Sequence, residues 1–438
     1  MNRKEFLKTS AGFAAVAIMP GVWSVAKPKG TKKPVKFLKI KNSTPAVVTK
    51  VTPDDGLYNH TYFDVTPFSP SQRYLAISKL PFDDHMPVLG DIAEVCIIDL
   101  EKHTIYSAYK TKSWGFQTGT NVRFGATDRH VYCNDIINGT AVCVRIDLDS
   151  GETIAFAGPM YSVAPDESCI VSFPLELFDI TQLGYGCPPK QSGKYQSLSF
   201  GASKTEGIWR TDLATNKKTL IVSLEAAAAV VPEKPPVDKY TYYFWHSKFN
   251  KQGTRIYQVL RCIFANDPVN VNSINLTFKP DGSEIFYTTP NYPVWGAVGG
   301  HPNWHPNGEY LIRCLRMEDR KERFVKIRYD GSEFKILSNK IEGTGHPSID
   351  ANDQYIIWDT QKTSGDNKSV SLHICDLRSE EAQVVCMLPT IKWEGRLKDS
   401  VFRLDGHPAW SRDYKKVSLQ AAHEGKRQLF IVDLSKMI

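Results

Sequence analysis

Four histidines in the second half of the chain share one local setting. They open the stretches His246-Ser-Lys-Phe249, His301-Pro-Asn-Trp304, His346-Pro-Ser-Ile349 and His407-Pro-Ala-Trp410, each three residues ahead of an apolar residue that leads into a β-rich run. If those runs are equivalent strands of a repeat, the imidazoles stand on one arc. Neutral imidazole is the commonest nitrogen ligand for zinc and its neighbours. The arc therefore suits a divalent metal, zinc first, in a structural role. Three of the four would suffice, with Cys262 a further ligand in the unit of His246. The competing reading is that His-Pro is a favoured turn into a strand, each ring hydrogen-bonding its neighbour. In the first half the same register holds Val65, Asn121 and Met160 or Tyr161, while His103, His130, His305, His373 and His423 fall outside it and read as structural or surface groups.

The first half carries different chemistry. His60-Thr-Tyr-Phe-Asp-Val-Thr-Pro-Phe-Ser-Pro-Ser precedes a strand, and Leu80-Pro-Phe-Asp-Asp-His85 and Gly90-Asp-Ile-Ala-Glu94 follow it. Further on stand Trp114-Gly-Phe-Gln117-Thr-Gly119-Thr, Val131-Tyr-Cys-Asn134-Asp135, Tyr195-Gln-Ser-Leu and Gly207-Ile-Trp-Arg210. These stretches resemble the propeller polysaccharide lyases: the ulvan lyases and the rhamnosyl-glucuronate lyase that removes rhamnose caps from arabinogalactan. A more distant likeness is to oligogalacturonate lyases, which share a His-x-x-Trp strand opening. The resemblance runs from about residue 55 to the C-terminus.

The resemblance implies β-elimination at the α-1,4 bond between L-rhamnose and D-glucuronate, leaving a 4,5-unsaturated uronate. Rhamnose-capped arabinogalactan is the first expected substrate and ulvan the second. Removal of the weakly acidic C5 proton needs a cation on the C6 carboxylate. A base must take that proton and an acid must protonate the departing O4. Arg210 suits the cation, because guanidinium stays charged and matches carboxylate geometry. Tyr195, His60 and His85 are the acid and base candidates, and Gln117 and Asn134 are placed to orient the sugar. Each has a plainer reading: Arg210 paired to a nearby carboxylate, Tyr195 packed in a loop, His60 capping a strand, His85 on the surface. The first-half set is expected across the ring from the histidine arc.

These residues are positioned by a repeat. Seven strand openings recur: Phe68-Ser-Pro, Phe124-Gly-Ala, Val163-Ala-Pro, Phe249-Asn-Lys, Trp304-His-Pro, Ile349-Asp-Ala and Trp410-Ser-Arg. Most are followed by an apolar strand ending in an Asp turn, as in Ile97-Ile-Asp-Leu100, Val144-Arg-Ile-Asp-Leu148, Trp209-Arg-Thr-Asp-Leu213, Ile374-Cys-Asp-Leu377 and Ile431-Val-Asp-Leu434, with Phe278-Lys-Pro-Asp281 a looser fit. Short strands repeating at this interval predict an all-β, single-domain, seven-bladed β-propeller. Residues from about 35 to 62 are expected to supply the strand that closes the last blade. The irregularities are an expanded third unit (173–206) and a Pro/Ala-rich connector, Glu225 to Val237.

With 438 residues, 42% hydrophobic and 23% charged, the composition is that of a globular protein, and the net charge of +7 reads first as a solvated surface and second as a site for an acidic substrate. No basic run interleaved with aromatics points to nucleic acid. The expected partner is an acidic polysaccharide or oligosaccharide, met by a monomer. Residues 1–30 read as an export signal: a basic start, the small-residue apolar stretch Thr9 to Ala17, then Pro20 and Gly21. Asn2-Arg-Lys-Glu-Phe-Leu-Lys8 is similar to a twin-arginine signal with Lys4 replacing the second arginine. Residues 31–438 are then a periplasmic or secreted propeller with no membrane span. The nine scattered cysteines read as buried thiols. The alternative function is a non-catalytic propeller that binds a glycan or protein, since fold does not fix function. Convergence of His60, His85, Tyr195 and Arg210 in one cleft would distinguish the two. A hydrolase, the third option, would need paired carboxylates, for which Asp83, Asp84, Asp91 and Glu94 are candidates.

Overall fold

The aspartates of the repeat stop strands by one device. Asp99 accepts from the backbone N–H groups of Glu101 (3.1 Å) and Lys102 (3.0 Å), and Asp147 from those of Asp149 (2.9 Å) and Ser150 (3.0 Å). Asp212, Asp281, Asp330, Asp376 and Asp433 cap the turns that follow them in the same way. A side chain that substitutes for the backbone acceptor reverses the chain after each third strand. The looser Asp281 unit is therefore a regular member of the set.

The computed structural model describes residues 23–26, 30–182, 184–187, 200–233, 238–264, 267–289, 300–362, 368–391 and 401–438. It is a seven-bladed β-propeller of antiparallel sheets. In five blades the innermost strand is a two-residue pair, Arg123–Phe124, Ser162–Val163, Asn303–Trp304, Ser348–Ile349 and Ala409–Trp410, whereas blade 1 has Leu57–Asn59 and blade 4 the ten-residue Tyr240–Phe249. These pairs fall on the predicted strand openings.

Closure uses the N-terminal segment, as the sequence predicts. Val47–Lys50 pairs with Lys426–Asp433 of blade 7, with Val432 opposite Val48. Outside it lies Leu38–Ile40; Lys33–Pro34 and Trp23–Ala26 edge blades 1 and 2. The last of these strands falls within residues 1–30, the stretch read as a signal; residues 1–22 lie outside the described residues.

The core lies between blades, because each blade buries both faces. Leu429 and Ile431 of blade 7 pack on Leu75, Ile77 and Cys96 of blade 1, and Ala76, Val95 and Ile97 of blade 1 pack on Val131, Cys133 and Val144 of blade 2. All nine cysteines are buried and free of disulfides. In the connector, Ser223 caps the short helix Leu224–Ala229 by accepting from Ala226 N. No helix among the described residues is long and apolar enough to cross a membrane.

At one end of the axis, the turns between first and second strands are tied blade to blade. His305 Nε2 meets Asp353 (2.9 Å), Gln252 donates to Pro306 O (3.0 Å), and Ser71 N donates to Asp128 (2.9 Å). The rim positions ahead of the inner strands stand at the other end. Between the ends, Tyr62 and Phe63 are buried on the axis, in a tight loop bridged by Tyr62 and Val65.

Candidate functional site

The rim residues owe their aim to the backbone. His246, His301 and His407 have φ of 58°, 56° and 45°, and Asn121 of blade 2 has 55°. Histidine and asparagine are among the side chains that tolerate this left-handed region best. His346 instead follows Gly345, itself at φ +65°, where a Cβ would strike the Asp359 carbonyl at 1.8 Å. Holding several non-glycine residues there costs energy that the surrounding structure must supply.

The four imidazoles converge. Ring centroids of His301 and His346 are 4.0 Å apart and those of His346 and His407 4.5 Å. The Tyr62 ring lies 5.1 Å from His246, 5.7 Å from His346 and 4.4 Å from His407, so one tyrosine forms the floor beneath three of them. Tyr161 bonds His246 Nδ1 through its hydroxyl.

Polar residues on the second strands fix these rings. Asp359 accepts from His346 N (2.8 Å) and faces His346 Nδ1 (2.9 Å), and it also accepts from the N–H groups of Gly406 (3.1 Å) and His407 (3.2 Å) in the next blade. Gln420 donates to His407 Nδ1 (3.1 Å) and to the His60 carbonyl (3.2 Å). Ser78 accepts from Thr120 N (2.9 Å), and Cys314 Sγ reaches Gly345 O at 3.8 Å. Asn134 holds both polar groups of Met160, donating to its carbonyl (2.7 Å) and accepting from its N–H (2.7 Å). The second strands of blades 1, 2, 5, 6 and 7 thus grip the rim of the following blade. Asn134, predicted to orient a sugar, belongs to this system.

His346, Asp405 and His407 each offer a ligand atom within 4.8 Å of the others. His346 Nε2 and His407 Nε2 are buried without a hydrogen-bond partner. His346 turns Nδ1 to the Asp359 carboxylate and Nε2 to this group, the arrangement typical of a metal-binding histidine. Burial and the neighbouring imidazoles hold His407 and His301 well below the usual histidine range; burial and the cations Lys248 and Arg261 do the same to His246. Burial tends to raise the Asp359 carboxyl, but His346 outweighs it and keeps the group ionised. Buried, neutral imidazoles beside a carboxylate fit a divalent cation. Cys262 lies in the apolar core, outside this group.

The described members of the predicted catalytic set, His60, His85 and Arg210, separate, so this set does not show the convergence in one cleft that favours a lyase over a binding propeller. His60 joins the arc: it is fully buried against His407, neither ring nitrogen is hydrogen-bonded, and burial lowers it to about 3. The arc and the first-half histidine are therefore neighbours rather than opposite one another. His85 is 61% exposed, stacked on Phe82 at 3.8 Å and paired with Asp84 (2.7 Å). Arg210 sits on the third strand of blade 3, opposite Val171 and Thr219, with Asp212 at 3.6 Å. This is the plainer pairing considered for it. Neither contacts the arc, and Tyr195 lies outside the described residues. Asp83 is held by Arg427 (3.0 Å), and Asp91 accepts from Val88 N (2.8 Å).

A different cation stands at the arc. Arg403 donates through Nε to Asp405 (2.8 Å) and through Nη2 to the Tyr185 hydroxyl (3.0 Å). Burial works against its charge, but Tyr185 and Asp405 more than restore it, and its field reaches His301 and His407. Gln117 donates to the carbonyls of Val401 and Arg403 (3.0 Å each), so it braces the loop that presents this arginine. Arg261 stacks 3.7 Å over Trp245 and, with His246, His301 and Tyr62, lines a cavity of about 100 Å³. The sequence signal for Arg403 was the run Arg403-Leu-Asp405-Gly-His407, which joins a cation, a carboxylate and a rim histidine.

Among solved structures, the chain is similar to oligogalacturonate lyase from Vibrio parahaemolyticus, with a TM-score of 0.65 and 15% identity over 93% of this chain and 99% of that one. It is also similar to an oligogalacturonate lyase in complex with manganese, with a TM-score of 0.63 and 15% identity over 93% and 98% of the two chains. At this identity the likeness is one of fold. No family profile matches the sequence, and no curated protein does.

Proposed function

We propose that this chain is a lyase that cleaves an acidic polysaccharide by β-elimination at a uronate, with the site at the histidine end of the propeller axis. The observation that carries the reading is the meeting of Arg403 with neutral, buried imidazoles. A fixed cation beside an uncharged base is the pairing that C5 proton abstraction requires.

Arg403 and Arg261 bind the C6 carboxylate. His301 donates Nδ1–H to Gly345 O at 2.7 Å, which leaves Nε2 as the acceptor for the C5 proton. The electron pair of that C–H bond forms the C4–C5 double bond as the C4–O4 bond breaks. Tyr185, whose oxygen already accepts from Arg403, gives its own proton to the departing O4. No water is consumed. His346, Asp405 and His407 would hold a divalent cation, and when bound it supplies further positive charge toward the carboxylate. To ligate through Nε2, His407 would carry its proton on Nδ1 instead, with the Gln420 amide turned so that its oxygen accepts from Nδ1. The manganese in the similar lyase structure supports a divalent metal.

Within this reading the preferred bond is the α-1,4 link of L-rhamnose to D-glucuronate in rhamnose-capped arabinogalactan, with ulvan second. The motif resemblance in the first half of the chain supports it, and the N-terminal pattern supports export to the periplasm or beyond. The test is mass spectrometry of products from gum arabic, ulvan and oligogalacturonate. Products lighter than the hydrolysis products by one water identify the lyase and its substrate. Hydrated products identify a hydrolase, and intact substrate with measurable binding identifies a glycan-binding propeller.

A further inference from the structure

The opposite end of the axis holds a larger cavity, of about 500 Å³, behind Tyr62, the floor of the histidine arc, and Phe63, whose ring lies 5.0 Å from that of His346. Its charged lining is Arg123, Lys248, Lys251 and Arg412 against Asp64 alone. That is four cations and one acid, an excess of three positive charges. Only the deepest cation is neutralised locally: Lys248 pairs with Asp64 at 2.8 Å and donates to Pro302 O at 3.0 Å. Arg123 donates through Nη2 to Asn121 (2.7 Å), Arg412 through Nε to Phe68 O (3.2 Å), and Lys251 through Nζ to the Tyr414 hydroxyl. Among the described residues, none of these three is ion-paired.

Two further atoms want partners. Arg123 Nε and Asp64 Oδ1 are buried and make no hydrogen bond. One is a donor and the other an acceptor, and both residues line the cavity. Trp304 and Trp410 also line it; their indole nitrogens are spent on Lys248 O (2.8 Å) and Ser348 O (3.3 Å), so what they offer a ligand is ring surface. Cations at the mouth, one free acceptor and one free donor deeper in, and aromatic walls are the complement of a molecule with a carboxylate, several hydroxyls and an apolar ring face.

We propose that this cavity is a second binding site, separate from the histidine arc, for a sugar acid of monosaccharide size. Lys251 and Arg412 take the carboxylate, Asp64 Oδ1 accepts from a hydroxyl, and Arg123 Nε donates to a ring or hydroxyl oxygen. The volume falls within the usual range for small-molecule sites.

The experiment is calorimetric titration of the full chain with glucuronate, galacturonate, glucose and sulfate. Lys251→Ala/Arg412→Ala serves as the test variant, because both residues are exposed and the change leaves the core intact. His407→Ala serves as the control at the other end. The expected result is binding of a uronate in preference to glucose and sulfate, weakened roughly tenfold or more in the double variant and kept in His407→Ala. Equal binding by the double variant, loss of binding in His407→Ala alone, or sulfate binding as tightly as uronate would each overturn the proposal, as would no uronate binding at all. Because the readout is binding in the presence of an altered arc, failure of the lyase reading leaves this test unaffected.

Discussion

Asp359 receives His346 twice, through the backbone N–H at 2.8 Å and against the imidazole Nδ1 at 2.9 Å, while its second oxygen accepts from the backbone of the next blade. One buried carboxylate therefore sets the tautomer of one rim histidine and the position of another. Outer partners of this kind orient the groups that do the chemistry.

Replacing Asp359 with Asn keeps the volume but removes the charge that holds the Nδ1 proton of His346. Affinity for manganese or zinc, read by calorimetry on the metal-stripped protein, should fall roughly 10- to 100-fold. Unchanged affinity would show that the His346, Asp405 and His407 group does not hold the metal.

The closing strand offers a paired test of architecture. Val48 is 1% exposed and Val47 38% exposed on the same strand, so adjacent residues face the core and the solvent. Val48→Asp should cost about 3 kcal/mol or more, by placing a charge between blades. Val47→Asp should lie within about 0.5 kcal/mol of the parent. Denaturant unfolding reads both, and equal effects would contradict closure by this strand.

The turn aspartates predict an acid limit. Arg378, with its backbone N–H, lowers Asp376 to about 2, and in Asp99 and Asp147 burial is outweighed by Arg73 and Arg129 with the capping N–H groups, so both also stand below the usual range. Their folded values are depressed, so the unfolded chain binds more protons and stability falls as pH drops. The contribution is present above pH about 4 and is lost toward pH about 2. Asp376→Asn should be less stable than the parent at neutral pH, and the gap in unfolding midpoint should narrow across that window. A gap independent of pH would refute the assignment.

Much of this architecture is legible in the sequence. The seven openings and the Asp-ended strands gave the blade count, because an inner strand and an Asx turn are dictated by local residues. The histidine register was legible for the same reason: rim position follows from distance to the strand opening. What sequence reasoning did not reach was contact between blades. Asp359 and Gln420 each stand thirteen residues beyond their rim histidine and are bonded to it, and the same interval relates Asn121 to Asn134. The spacing was readable, but only the closed ring shows that these residues also grip the following blade. Arg210 was attractive by type and neighbourhood, yet its place on a third strand carries it away from the axis. Arg403 was overlooked because it lies in the loop before the last blade, outside the stretches that carried the resemblance.

The most direct test of the central claim is the ultraviolet absorbance of the unsaturated uronate, followed with gum arabic for the parent, Arg403→Ala and Arg210→Ala. The account predicts a steady rise for the parent and for Arg210→Ala, and a rate lower by roughly 100-fold or more for Arg403→Ala, the scale of losing one electrostatic stabiliser. A rise that survives Arg403→Ala and vanishes in Arg210→Ala would contradict the site described at the histidine arc.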